Sequence, residues 1–250
     1  MIFDVHAHLD MFDDESLKEL ISRAKLEGVK IIITNSVNMK SIFHSLEISK
    51  KYPKIVRLAI GLYPEKDLKL EEWGKFEEFA RKNKDQYIAF GEIGLDLFST
   101  TENFNIQKEI FIKELNLAKE LSKPVIIHTR KAEKEVLDIL ENYPGLKKVL
   151  HCFSGNFKLI KRAKEMGCYF SIPANVNHSE HFQKMVKELP RKIILTETDS
   201  PYLSPYKEGE NEPSFIKETI FLISNIWNTS KKEVEKQIET NYKEIFGTVM

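Results

Sequence analysis

Met1-Ile2-Phe3-Asp4-Val5-His6-Ala7-His8 opens the chain. Three apolar residues lead into an alternation of polar and apolar ones, the pattern of a β-strand that ends in polar residues. Residues two apart on a strand point to the same face, so His6 and His8 present two imidazoles to one side. At strand rise their Cα atoms lie roughly 6–7 Å apart. That suits two ligands on one ion, with metal–nitrogen bonds of about 2.1 Å. Two histidines on a strand near a terminus also have an ordinary structural reading. What decides between them lies further along.

Working outward, short β-branched runs recur at 29–34, 55–61, 87–92, 125–128, 148–151, 169–172 and 193–197. Helical periodicity fills the spaces. Leu17, Leu20, Ile21 and Ala24 share one face, after Asp13-Asp14 as a start signal and before Gly28 as a stop. Phe111, Leu115, Ala118 and Leu121 make a second stripe, and Ala132, Val136, Ile139 and Leu140 a third. Ser230-Lys231-Lys232-Glu233 is a capping box, followed by Val234, Ile238, Tyr242 and Ile245 on one helical face. About eight βα units in 250 residues is the size of an α/β protein of the (β/α)8 TIM barrel type. Val125-Ile126-Ile127 is apolar on both faces, as expected when helices cover a parallel sheet. An open doubly wound sheet is the rival, and no glycine-rich dinucleotide fingerprint supports it. No linker or low-complexity segment interrupts the chain, so one domain is expected over 1–250.

Bulk composition narrows the function. Thirty-eight basic residues balance 38 acidic ones. Zero net charge argues against a broad basic surface for duplex DNA. Bound cations can still supply local positive charge to a nucleic-acid substrate. No apolar run reaches the roughly 18 residues of a membrane helix, and no charged-then-apolar leader opens the chain. Cys152 and Cys168 lack metal-site spacing. The expectation is a cytoplasmic protein without disulfides or membrane partners.

Against the strands, the ionisable residues fall into a pattern. His6 and His8 close the first strand, Glu92 the fourth, His128 the fifth, His151 the sixth and Asp199 the eighth. All six stand where strands give way to loops, on the C-terminal face that holds the active site in such barrels. Any one histidine there could be structural, and either carboxylate could cap a helix. Four histidines and two carboxylates in equivalent places read as ligands for two divalent ions. Mixed nitrogen and oxygen donors accept Zn²⁺, Mn²⁺ or Fe²⁺, and Mg²⁺ less readily.

Asp4-x-His6-x-His8, Gly91-Glu92-Ile93-Gly94-Leu95-Asp96, Pro124-Val125-Ile126-Ile127-His128, His151-Cys152-Phe153-Ser154-Gly155, Glu197-Thr198-Asp199-Ser200-Pro201-Tyr202-Leu203 and Asn211-Glu212-Pro213 occur in that order. In these stretches the chain resembles the TatD-like metal-dependent hydrolases, within the amidohydrolase-type barrels. The resemblance implies one ion on His6, His8 and Asp199 and another on His128 and His151, with Glu92 bridging. It implies supporting roles for Asp4, Asp96 and Glu197 behind the ligands. It further implies hydrolysis of DNA phosphodiesters, often from a 3′ end, with Asp199 and Glu92 as the catalytic carboxylates. Two such ions would activate a water and clamp the attacking and leaving oxygens.

Substrate contacts are expected from Arg130, two residues beyond His128, and from Ser154 and Gly155, read as opening the sixth helix with amides that can hold an anion. Where the family commonly has Gly-x-His-Pro, this chain has Gly61-Leu62-Tyr63-Pro64, making Tyr63 a further candidate contact. Leu97-Phe98 replaces a tyrosine-containing turn, and Lys207-Glu208-Gly209-Glu210 replaces a basic stretch. These departures touch none of the six ligands. They leave open a second activity for the same site, attack at carbon by an amidase, deformylase or aminoacyl-tRNA deacylase.

Overall fold

The runs read as strands are strands in the computed structural model, which describes residues 1–206 and 208–248; Lys207 of the mixed stretch lies outside them. In chain order come β1 (Ile2–Ala7), α1 (Asp14–Leu26), β2 (Val29–Asn35), α2 (Met39–Lys51), β3 (Val56–Ile60) and α3 (Glu72–Lys82). Then follow β4 (Ala89–Asp96), α4 (Phe104–Glu120), β5 (Val125–Arg130), α5 (Glu133–Leu140), β6 (Lys148–His151) and α6 (Phe157–Glu165). The chain continues through β7 (Tyr169–Ile172), α7 (Glu180–Glu188), β8 (Ile194–Thr196), α8 (Ile216–Ile226) and α9 (Lys231–Phe246). The strands form one sheet in the order β1 to β8. Beyond β8, the Asp199 N–H donates to the His6 carbonyl (2.8 Å), which returns the strand order to its start. The fold is a (β/α)8 barrel.

Cα proximity groups the chain into two units. The first comprises Met1–Thr34, Glu47–Arg57 and Phe170–Met250; the second comprises Asn35–Leu46 and Leu58–Tyr169.

In the first unit, local signals set the helices. The Asp13 carboxylate accepts the Glu15 and Ser16 N–H groups and starts α1, which buries Leu17, Leu20, Ile21 and Ala24. The Ser230–Glu233 capping box is formed, and α9 buries Val234, Ile238, Tyr242 and Ile245. Tyr242 packs its ring 4.6 Å from that of Phe3, joining the last helix to the first strand.

In the second unit, Val125, Ile126 and Ile127 are fully buried, as an inner strand covered on both faces requires. Here β4 and β5 run further than their sequence pattern suggested. Glu92 and His128 therefore lie within strands, and the pairing continues through Gly94 opposite His128 to Asp96 opposite Arg130. Gly94 makes this possible. Its φ of +145° suits glycine, and a Cβ there would fall on the His128 carbonyl oxygen.

Candidate metal centre

The first unit holds three of the expected ligands. His6 lies in β1, His8 one residue past it, and Asp199 three residues past β8. The two Nε2 atoms stand 3.2 Å apart. Asp199 Oδ1 is 3.5 Å from each. Ligands about 2.1 Å from one tetrahedral ion stand about 3.4 Å from one another, so this triangle fits a single cation. Both histidines are buried. Asp199 adopts φ +58°, a left-handed conformation that aspartate tolerates better than most residues.

The frame behind this triangle is backbone. Asp4 Oδ1 accepts the His6 N–H (3.3 Å) and the Thr198 N–H (3.0 Å). Its Oδ2 accepts the Thr198 hydroxyl at 2.6 Å. Asp4 thus ties the segment carrying His6 to the one carrying Asp199, a supporting place behind the ligands. Burial drives its pKa up to about 8 despite those three hydrogen bonds. Glu197 accepts a short hydrogen bond from the Ser171 hydroxyl.

The second unit holds the other three. Glu92, His128 and His151 are buried and offer ligand atoms within 4.8 Å of one another. Glu92 Oε1 is 2.7 Å from His128 Nδ1 and 3.2 Å from His151 Nε2. His128 Nδ1 nevertheless makes no hydrogen bond.

His128's other nitrogen is taken. Nε2 lies 3.2 Å from Asp96 Oδ2 and 3.3 Å from the Tyr63 hydroxyl, which itself donates to Asp96 at 3.0 Å. A proton held on Nε2 by Asp96 leaves Nδ1 as the coordinating atom, the usual carboxylate–histidine support of a metal ligand. Burial alone would raise the Asp96 pKa, but the hydrogen bonds from His128, the Ser99 N–H and Tyr63 hold it below the ordinary range. Burial would lower that of His128; Asp96 and Glu92 together raise it instead. Tyr63 is pushed up by burial and by the negative charge of Glu92 and Asp96, and so stays a neutral donor.

The three candidate substrate residues fare differently. Tyr63 is half-buried against Asp96 and His128, as described. Arg130 is exposed at the end of β5. Ser154 does not open α6: Asn156 caps that helix, accepting the Lys158 and Leu159 N–H groups from an extended conformation. The Ser154 hydroxyl donates to Glu133 Oε1 at 3.0 Å.

Several supporting residues gave no sequence signal. Gln107 on α4 clamps Asp96, accepting its N–H (3.0 Å) and donating to its carbonyl (3.1 Å). Glu114, fully buried on the same helix, accepts the Leu62 N–H at 2.8 Å, next to Tyr63. Burial raises its pKa well above the usual carboxylate range. Thr198, the partner of Asp4, sat in view between Glu197 and Asp199.

The chain matches the TatD related DNase family over residues 3–247. It is 37% identical over 247 residues to a metal-dependent hydrolase of Methanocaldococcus jannaschii, covering 97% of this chain and 96% of that one. It is 29% identical over 258 residues to the human deoxyribonuclease TATDN3, covering 98% of this chain and 94% of that one. The crystal structure of the TatD homolog YJJV of Escherichia coli superposes with a TM-score of 0.89 at 22% identity, covering 99% and 98% of the two chains. Among the described residues no helix is long and apolar enough to cross a membrane.

Proposed function

The chain belongs to the TatD-related DNase family and is a metal-dependent hydrolase, and from that premise we propose that it cleaves DNA phosphodiesters, removing nucleotides from a 3′ end. The whole chain, 1–250, would act as one catalytic domain working in the cytoplasm. His6, His8 and Asp199 would hold one divalent ion; Glu92, His128 and His151 would hold a second. The observation that carries this reading is the triangle of two imidazole nitrogens and one carboxylate oxygen, with sides of 3.2, 3.5 and 3.5 Å.

When bound, the ions supply an activated water and positive charge for a phosphoryl oxygen. The chain's own groups do the rest. Asp199 is the most open of the six ligands, its side chain 13% exposed, and is placed to accept a proton. Glu92 is the second catalytic carboxylate, and Asp96 keeps the His128 proton on Nε2. Arg130 neutralises a phosphate oxygen, and Tyr63, whose hydroxyl proton is engaged by Asp96, contacts the substrate through its ring. Ser154, whose hydroxyl proton is engaged by Glu133, offers the phosphate no donor in this arrangement.

The test uses chelator-stripped protein refilled separately with Mg²⁺, Mn²⁺ or Zn²⁺ and given a 5′-labelled single-stranded oligonucleotide. A ladder shortening from the 3′ end, absent in Asp199→Asn, is the expected result. An oligonucleotide left intact by protein carrying two ions per chain would overturn the nuclease reading.

A further inference from the structure

Phe98 stands two residues past β4 with 60% of its surface exposed. Single exposed apolar residues are ordinary. This one has a partner: the Arg130 guanidinium carbon lies 3.9 Å from the centre of its ring, a stacked cation–π contact. Stacking occupies the flat face of the guanidinium and leaves its N–H edge available. Among the described residues that edge has no carboxylate or carbonyl partner. The other arginines all have one: Arg23 with Glu212, Arg81 with Glu77 and Glu120, Arg162 with Asp138 and Glu141, Arg57 with Pro53, and Arg191 with Trp227.

The pair is also held in register with a metal-ligand candidate. Asp96 Oδ1 accepts the Phe98 N–H (2.9 Å) and the Ser99 N–H (2.8 Å), while its Oδ2 faces His128 Nε2. Arg130 lies directly opposite Asp96 in the β4–β5 pairing. One buried carboxylate therefore positions both the aromatic ring and the imidazole. A solvent-facing ring beside a guanidinium edge that has no carboxylate or carbonyl partner among the described residues matches the two parts of a nucleotide, a base with a π face and an anionic phosphate.

We propose that Phe98 and Arg130 form a nucleotide subsite for single-stranded DNA, in which an unpaired base stacks on Phe98 and its phosphate takes the N–H edge of Arg130. The subsite rests on the nuclease reading and narrows it. Bases inside a duplex already stack on their neighbours, so the subsite selects frayed or single-stranded ends.

The experiment compares metal-loaded wild type, Phe98→Ala and Phe98→Trp on two single-stranded oligonucleotides, one complete and one whose 3′-terminal residues are abasic. Fluorescence anisotropy on metal-free protein reads binding of the same oligonucleotides apart from turnover. Loss of one stacked base raises KM and the dissociation constant of Phe98→Ala on the complete oligonucleotide about tenfold, with kcat little changed. The abasic oligonucleotide, which offers nothing to stack, shows no difference between the two proteins. Phe98→Trp restores the wild-type values. A Phe98→Ala protein that matches wild type on the complete oligonucleotide overturns the subsite alone, as does an equal loss on both substrates. A wild-type protein that cleaves neither overturns the nuclease reading, and the subsite with it.

Discussion

The two ligand sets are of like composition but are held in different ways. In the first unit, the carboxylate behind His6, His8 and Asp199 grips main chain. Asp4 binds the N–H of His6 and the N–H and hydroxyl of Thr198, so it fixes the path of two segments and leaves ring orientation to them. In the second unit, Asp96 divides its oxygens: Oδ1 accepts the Phe98 and Ser99 N–H groups, while Oδ2 grips an imidazole directly and shares that work with the Tyr63 hydroxyl. Asp4 is pushed toward neutrality by burial, whereas Asp96 is held ionised by the donors around it. A backbone brace sets whether the ligands assemble at all. A side-chain brace sets which nitrogen coordinates and how basic it is.

The strongest way to break this comparison is to remove ligands from one set at a time. Asp199→Asn and Glu92→Gln should each reduce DNA cleavage by about 10²–10⁴-fold. Replacing His6 and His8 together by alanine should remove one ion per chain and leave the second. Replacing His128 and His151 should do the converse, with metal content measured by mass spectrometry. Loss of all metal from either double variant would show that the sets do not bind independently.

Next in size is the side-chain brace. Asp96→Asn should cost about 10–100-fold in metal affinity or activity, with little change in the melting temperature of the metal-free protein. Tyr63→Phe, which removes one donor to Asp96 and leaves the others, should cost less. If Asp96→Asn unfolds the protein instead, the contrast with Asp4 disappears.

Asp4→Ala should show the opposite signature. It leaves the buried Thr198 hydroxyl and two N–H groups without their acceptor, a loss of about 2–4 kcal/mol in stability. Thermal unfolding of metal-free protein reads it. An unchanged melting temperature with lost activity would mean that Asp4 also acts through the rings.

The smallest effect concerns Glu114, which accepts the Leu62 N–H next to Tyr63. Its pKa is raised in the folded state above the ordinary value of 4.5. As pH rises past that value, the unfolded chain releases a proton that the folded chain keeps, so stability falls. Glu114→Gln keeps an acceptor for the Leu62 N–H and cannot ionise. It should melt higher than wild type at pH 8, by the equivalent of about 1 kcal/mol, and nearly equal to it at pH 4. A difference independent of pH would place the ionisation elsewhere.

The amino-acid sequence determined the alternation of strands and helices, because apolar period and capping residues act within a few positions of each other. Leu17, Leu20, Ile21 and Ala24 declared one helix face, and Val125–Ile127 declared an inner strand. It also marked the six ligand candidates, because a histidine or carboxylate closing an apolar run is conspicuous in one dimension. What it left undetermined were partners distant along the chain. Asp4 and Asp96 look alike in sequence, each a carboxylate close to a ligand, yet one binds main chain from residue 198 and the other binds an imidazole at residue 128. Ser154 looked like a helix start until Asn156 proved to have the extended backbone that a cap needs. Phe98 and Arg130, 32 positions apart, became a pair only because the pairing of β4 with β5 sets Asp96 opposite Arg130. Local pattern fixes which elements form, since their energies depend on near neighbours. Which donor meets which acceptor depends on strand register and turn geometry, and only the folded chain sets those.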